Sequence, residues 1–348
     1  MTEIAFEAIT KRFGSSARPA VDAVTFTVPA GHTCMLVGKS GAGKTTLLRM
    51  VNRLIEPTSG RIVIDGKNVL DEDPIELRRH IGYVIQQVGL FPHMNVAENI
   101  RVTAEVTGGW SKKRLAGRVD ELLDLVGLPP VEYRHRFPRQ LSGGQQQRVG
   151  LARALTTDPT ILLMDEPFGA LDAITRSQMQ DELLRIQRDV RKTILFVTHD
   201  IEEALKLGDL IAVMHQGGLM QLGSPMDLLT RPVDDMVARL VGSDNILRAL
   251  QYLKAATAAE ASHSAGPVNK EDLPLCPPDA SLLDAMLKLI ETGARALVLQ
   301  SGDPSPDRHV TLAGIFSTLT KGHSRESRCS PSGEQESAPA SGRGAAIL

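Results

Sequence analysis

A mainly parallel α/β fold is what this 348-residue sequence predicts, and three observations carry it. Residues 161 to 164 (Ile-Leu-Leu-Met) and 194 to 198 (Ile-Leu-Phe-Val-Thr) are nearly continuous apolar runs, the pattern of strands buried on both faces. From residue 1 to about 240, short apolar runs alternate with amphipathic helical patterns, as in a sheet wrapped by helices. The apolar run Cys34 to Val37 leads directly into Gly38-Lys39-Ser40-Gly41-Ala42-Gly43-Lys44-Thr45 and then into the helix-like Thr46-Leu47-Leu48-Arg49-Met50-Val51. Strand, glycine loop, helix is the setting a phosphate-binding loop requires.

That loop predicts chemistry as well as shape. Glycines at 38, 41 and 43 let successive N–H groups turn inward on an anion, and the helix N-terminus adds the positive end of its dipole. Lys44 can then reach the β- and γ-phosphates of a nucleotide, and the Thr45 hydroxyl can ligate Mg²⁺. Two further apolar runs also end in polar groups, Asp165-Glu166 after Met164 and His199-Asp200 after Thr198. Ligands of open α/β sheets bind at the carboxyl ends of strands, so three separate segments point to one pocket. There Asp165 can hold Mg²⁺ while Glu166 polarises a water, the two functions ATP hydrolysis needs.

Between these runs, from about Gln87 to Leu155, the pattern is helical. Its clearest helix follows Ser111, an N-cap, places Leu115, Val119, Leu122 and Val126 on one face, and stops at Gly127 and Pro129-Pro130. Leu141-Ser142-Gly143-Gly144-Gln145-Gln146-Gln147-Arg148 opens a second helix, through Leu155, whose first turn offers a hydroxyl and unobstructed N–H groups to an anion. One ATP does not readily use two such helix ends within one subunit, whereas two chains packed head to tail supply both. Asp200 and Glu203 have capping-box spacing, and the helix they begin stops at Gly208.

After residue 242 the composition changes. Residues 243–272, with the Ala-, Ser- and Gly-rich stretch from Ala255 to Pro267, read as a linker. A compact unit over residues 273–321 follows: a helix from Ser281 to Glu291, a strand from Ala294 to Leu299, a polar turn, and an element from Val310 to Phe316. Residues 322–348 read as a disordered tail.

Composition narrows the classes. Hydrophobic residues at 42% and charged residues at 23% are ordinary for a globular protein, and a net charge of -2 without a basic stripe argues against nucleic acid as partner. No apolar stretch approaches the ~20 residues that span a bilayer, and Met1-Thr2-Glu3 does not start a signal peptide. The expected place is the cytosol, with any membrane role exerted through a partner. Cys34, Cys276 and Cys329 are too far apart for paired metal-ligand spacing, and Cys34 reads as a small buried apolar residue.

These motifs, in this order over residues 1 to about 240, resemble the nucleotide-binding subunit of an ATP-binding cassette (ABC) transporter. The resemblance implies a P-loop ATPase domain over 1–242 with a mainly parallel core, an antiparallel β subdomain and a helical subdomain. It implies that Phe13 stacks on adenine and that Gly38 to Thr46 cradle the phosphates. Gln86 then meets Mg²⁺ and the attacking water, with Thr45 and Asp165 completing the metal set. Glu166 becomes the general base and His199 the γ-phosphate switch. Ser142, Gly143, Gly144 and Gln145 face the partner's ATP, and Asp172, in Gly169-Ala170-Leu171-Asp172, crosses the dimer interface.

The stretches Met50 to Gly60 and Ile81 to His93 are similar to those of importers of quaternary-amine osmoprotectants, glycine betaine, carnitine and choline. The implied partners are a second ATPase subunit, integral membrane permease subunits and, indirectly, an extracytoplasmic solute-binding protein. The implied location is the cytoplasmic face of the inner membrane, peripherally. The alternatives are an ABC ATPase of another transporter class or a non-transport ABC ATPase. Asp279 to Met286, Gly293 to Leu299 and Gly314 to Ser317 resemble a single cystathionine-β-synthase (CBS) motif, here with Ser317-Thr318-Leu319-Thr320 lacking the expected carboxylate. Nucleotide binding and a purely structural or dimerising role both remain open for that unit.

Overall fold

A computed structural model describes residues 2–14, 18–86, 89–242, 250–261, 274–277, 279–294, 296–299 and 309–321. The expected tail at 322–348, with Cys329, and most of the expected linker lie outside the described residues, as do Gln87 and Val88.

The central sheet runs β10-β9-β3-β8-β7-β6. It is built from β3 (Thr33–Val37), β6 (Ile81–Val84), β7 (Ile161–Asp165), β8 (Thr193–Val197), β9 (Leu210–His215) and β10 (Gly218–Gly223). Its pairs are parallel except β9–β10. A second, antiparallel sheet orders β2-β1-β4-β5, from β1 (Ile4–Lys11), β2 (Val21–Val28), β4 (Ser59–Ile64) and β5 (Lys67–Asn68).

The continuous apolar runs follow from layering. Along β7, Leu162 and Met164 face one core and Ile161 and Leu163 the other; along β8, Ile194 and Phe196 oppose Leu195 and Val197. Successive side chains leave a strand on opposite faces, so a strand packed on both sides shows no polar alternation. One core lies against the antiparallel sheet and helix α1 (Lys44–Val51), where Phe6 stacks on Phe26 at 4.5 Å. The other lies under the helical layer that follows the short helix α2 (Pro74–Arg79) in the chain: α3 (Val96–Thr107), α4 (Lys112–Leu125), the short α5 (Pro130–Tyr133), α6 (Gly143–Ala154) and α7 (Ala173–Val190).

Helix α4 forms as its pattern predicts. Ser111 accepts from the Arg114 N–H, and Leu115, Val119, Leu122 and Val126 are buried. Helix α1 begins at Lys44, two residues before the apolar run that marks it.

The C-terminal region departs from expectation in three places. Ala255–Ala261, inside the expected linker, is a helix with Ala255 and Ala258 fully buried; alanine has the highest helix propensity, and its small side chain permits close packing. The strand expected over Ala294 to Leu299 is only Leu297–Leu299, because the helix before it, Leu282–Thr292, ends with Gly293 in the left-handed region. The stretch from Val310 divides between a short strand, His309–Val310, and a helix, Leu312–Lys321. Strands Leu275–Cys276, Leu297–Leu299 and His309–Val310 make a three-stranded sheet.

Candidate functional site

The Lys44 loop lies at the carboxyl end of β3, and its backbone needs glycine for two reasons. Gly38, Gly41 and Gly43 have φ of 150°, 79° and 96°. A Cβ on Gly38 would sit 2.2 Å from the Met214 carbonyl oxygen, and one on Gly43 2.3 Å from that of Ala20, so backbone passes where a side chain would be. Lys44 Nζ folds back over the loop and donates to the carbonyls of Gly38 (2.7 Å) and Lys39 (3.1 Å). Burial lowers the Lys44 pKa, while the carboxylates of Glu166 and Asp165 oppose that shift.

The Thr45 hydroxyl, in the first turn of α1, donates to Asp165 Oδ1 at the end of β7 at 2.8 Å. A neutral hydroxyl beside a carboxylate is the hard-oxygen donor set that suits Mg²⁺ sharing its ligation with phosphates. Asp165 is 1% exposed, and its second oxygen lies 3.4 Å from Arg49 Nη2 and 3.5 Å from the Tyr83 hydroxyl. Neither Arg49 nor Tyr83 is singled out by the sequence pattern, since only the fold brings α1 and β6 to the end of β7. Burial raises the Tyr83 pKa, partly offset by Arg49.

Glu166 carries the least expected backbone of the site. Its φ is +44°, uncommon for a residue with a side chain, and its N–H donates to the Val197 carbonyl at 3.0 Å. The turn sets its carboxylate between two groups from other segments: Gln86 Nε2 donates to Glu166 Oε2 at 3.1 Å, and His199 Nδ1 lies 3.3 Å from the same oxygen. Lys44, Thr45, Gln86, Asp165, Glu166 and His199 therefore converge from four strand ends, as their positions imply. Sequence reasoning directed Gln86 to a metal and a water; here it meets the carboxylate.

Phe13 is 48% exposed, with Lys11 Nζ 5.1 Å from its ring centroid, so one aromatic face is available for stacking. Ser40 and Lys39 are exposed on the loop and Ala42 is buried beneath it; Thr46 lies in the first turn of α1.

Ser142 caps α6 in a reciprocal box: its hydroxyl accepts from the Gln145 N–H, and the Gln145 side chain accepts from the Ser142 N–H. The hydroxyl expected to be open to a ligand thus has a local partner, and the glycines have a packing reason besides. A Cβ on Gly144 would come 2.7 Å from Thr175 Cγ2 on α7, and one on Gly143 3.5 Å from Leu171 Cδ2. No hydrogen bond among the described residues links the Ser142–Gln145 segment with the Lys44 loop. Asp172 caps α7 by accepting from the Thr175 N–H at 3.0 Å, and that bond holds its pKa below the usual carboxylate range.

The expected Asp200–Glu203 capping box forms only in half. Asp200 accepts from the N–H groups of Glu202 and Glu203 to open helix α8 (Ile201–Leu207), but Glu203 turns inward and accepts from Gln180 Nε2 at 3.2 Å. Its side chain is apolar enough in its stem to lie buried, and a partner on α7 satisfies its oxygen.

Two grooves are notable, the first beside Gln86 and the second at the Ser142 helix end. One, of about 430 Å³, is lined by Arg49, Leu54, Ile55, Tyr83, Ile85 and Gln86. The other, of about 310 Å³, includes Tyr133, Ser142, Gly144, Gln145, Arg148 and Gln178.

Comparison with known proteins agrees with this geometry. The family model described as ABC transporter matches residues 21–169. The osmoprotectant import ATP-binding protein OsmV of Salmonella typhimurium is 51% identical over 255 residues, which are 72% of this chain and 66% of that protein. The chain thus spans just under two thirds of that relative. The glycine betaine uptake system ATP-binding protein YehX of Escherichia coli is 47% identical over 70% of this chain and 78% of its own length. Among solved structures, the dimeric post-hydrolysis state of the ATP-binding cassette MJ0796, bound to ADP and Pi, matches 64% of this chain and 98% of its own, with TM-score 0.57 and 32% identity. Identity at that level, spread over more than two thirds of a relative's length, settles descent: the chain belongs to the ABC transporter family as one of its ATP-binding proteins.

Proposed function

We propose that the chain is the ATP-hydrolysing subunit of an importer, working as a head-to-tail pair that drives membrane permease subunits to take up a quaternary-amine osmoprotectant. The observation that carries the reading is the placement of the Glu166 carboxylate between Gln86 and His199, beside the Lys44–Thr45–Asp165 cluster.

In this reading Lys44 and the N–H groups of Gly38 to Thr46 hold the β- and γ-phosphates, and Phe13 stacks on the base. Thr45 and Asp165, with Gln86, would hold Mg²⁺, which would neutralise charge on the phosphates. Glu166 accepts the proton of the attacking water as the water oxygen bonds to the γ-phosphorus and the ADP oxygen leaves. His199 donates a hydrogen bond to the γ-phosphate. Ser142, Gly143, Gly144 and Gln145 belong to the centre completed by the second copy, and Asp172 lies where the copies cross. A paired site is supported by the dimeric state of the similar cassette MJ0796 and by the lack, among the described residues, of any hydrogen bond between those residues and the Lys44 loop.

The groove between Arg49, Leu54 and Gln86 is apolar on one side and reaches the Gln86–Glu166 hydrogen bond on the other, which suits a short helix of a permease subunit. Among the described residues no helix is long and apolar enough to cross a membrane, in keeping with a peripheral subunit at the cytoplasmic face. An extracytoplasmic solute-binding protein acts only through the permease. The substrate class rests on relatives such as OsmV and YehX, named for osmoprotectant and glycine betaine uptake. The region from 273 to 321 is read as a structural or dimerising unit of CBS-like kind, with the domain limits as the sequence suggests.

Two measurements test this. Glu166→Gln should keep ATP binding and slow turnover at least ~10³-fold, about 4 kcal/mol of barrier; wild-type turnover removes Glu166 as base. Deleting the gene in its host should abolish uptake of radiolabelled glycine betaine, choline or carnitine at high osmolarity, and unchanged uptake of all three overturns the substrate class.

A further inference from the structure

Arg176 lies one turn into α7, and its guanidinium turns back toward two loops. Nη2 donates to the Leu171 carbonyl at 3.0 Å, inside the segment Gly169 to Asp172, and Nη1 pairs with Asp200 Oδ2 at 3.6 Å, beside His199. Asp200 uses its other oxygen to cap α8, so the His199 loop is held from both sides. Thr175 on the same turn of α7 lies against Gly144 of the Ser142 helix, and Leu171, just before α7, lies against Gly143. Between Arg176 and the reaction centre is a cavity of about 20 Å³ lined by Glu166, Thr198, His199, Asp200 and Glu203, room for one water. Arg176 also lines that cavity, and its Nε is buried without a hydrogen-bond partner among the described residues.

We infer that Arg176 is a positioning residue: it ties the segment 169–172 and the Ser142 helix to His199, so that docking of a second copy on the former sets the geometry of the His199–Glu166 pair. A planar fork is required, because two acceptors from different segments are engaged by one side chain at fixed angles. The inference rests on the paired-site reading above.

The test uses the full chain and measures kcat, KM for ATP and Tm for R176M, R176K, D200N and R176M/D200N. Asparagine caps a helix as well as aspartate does, so D200N removes the ion pair while leaving α8 capped. The expected result is a kcat lowered about tenfold in R176M, in D200N and in the double variant alike, with KM within about twofold of wild type. R176K should recover less than half of the lost rate, because an ammonium satisfies one acceptor at a time. Wild-type kcat in R176M, losses that multiply in the double variant, or full rescue by lysine would each overturn the inference. If R176M does not fold, D200N alone decides, supporting the tie at about tenfold loss and refuting it at none. A Glu166→Gln variant run beside these separates the two layers. If it is inactive while R176M turns over normally, only the tie is wrong; if it is fully active, the reading of the reaction centre fails.

Discussion

Lys44 sits in a nearly closed place, 5% exposed, and donates to two carbonyls of the glycine loop. Lys44→Ala should therefore weaken ATP binding by at least ~100-fold, about 2.7 kcal/mol, as charge-assisted bonds to phosphate are lost. Nucleotide titration checks this, and tight binding by the variant refutes the cradle. At this scale the loop was legible because its glycines, lysine and threonine follow a fixed local order. Arg49 and Tyr83 were not, since what makes them matter is proximity to Asp165 across elements far apart in sequence. Nor was the positive φ of Glu166, which no residue type announces. Cys34 behaves as its position on a buried strand suggests: it is fully buried, and desolvation pushes its thiol up to about 12.

Two elements depend on one buried polar side chain each. Asn99 on α3 is fully buried; its Oδ1 accepts from the Phe91 N–H at 2.7 Å, and its amide donates to the carbonyls of Phe91, Met94 and Asn95. It fixes the loop that leads from the Gln86 segment into the helical layer. Asn99→Ala should cost about 2–3 kcal/mol by urea unfolding, because several backbone groups lose their partner at once. On α8, burial raises the Glu203 pKa, with Thr198 and Gln180 bonds opposing and Asp200 adding to the rise. A carboxyl whose folded pKa is raised contributes its full stability below the ordinary value of 4.5 and loses it as pH rises through the folded value. Glu203→Gln should then melt about 2 °C above wild type at pH 8, and the gap should close toward pH 4. A gap that widens on acidification would contradict that sign. The spacing of Asp200 and Glu203 is that of a capping box, yet Gln180 on a neighbouring helix competes for the Glu203 side chain and wins.

For the whole molecule, the proposed head-to-tail pairing predicts that turnover is a property of pairs. ATPase activity per chain should fall on dilution, the total rate becoming second order in chain concentration below the dimer dissociation constant. Sedimentation in the presence of ATP and the inactive Glu166→Gln variant should show the dimer directly. A strictly monomeric chain with full, dilution-independent turnover contradicts the paired site. The groove beside Gln86 gives a second test: Leu54→Glu, at a half-exposed apolar position, should leave ATP hydrolysis within about twofold in the isolated protein while abolishing uptake in cells, since a desolvated charge disfavours a docked helix.

By itself the sequence determined the parallel core, the phosphate loop, the two acidic residues at the end of β7, the capped helix α4 and the Ser142 helix start. Each of these is written in local order or in the period of apolar residues, and burial on one or both faces imposes that period directly. Only the tertiary structure decided that Gln86 and His199 share one oxygen of Glu166, that Arg49 and Tyr83 flank Asp165, that Gly144 makes room for Thr175, and that Arg176 spans two loops. Those relations join residues tens of positions apart in most cases, and their energies depend on distance and solvent exclusion, which exist only once the strands have been set side by side.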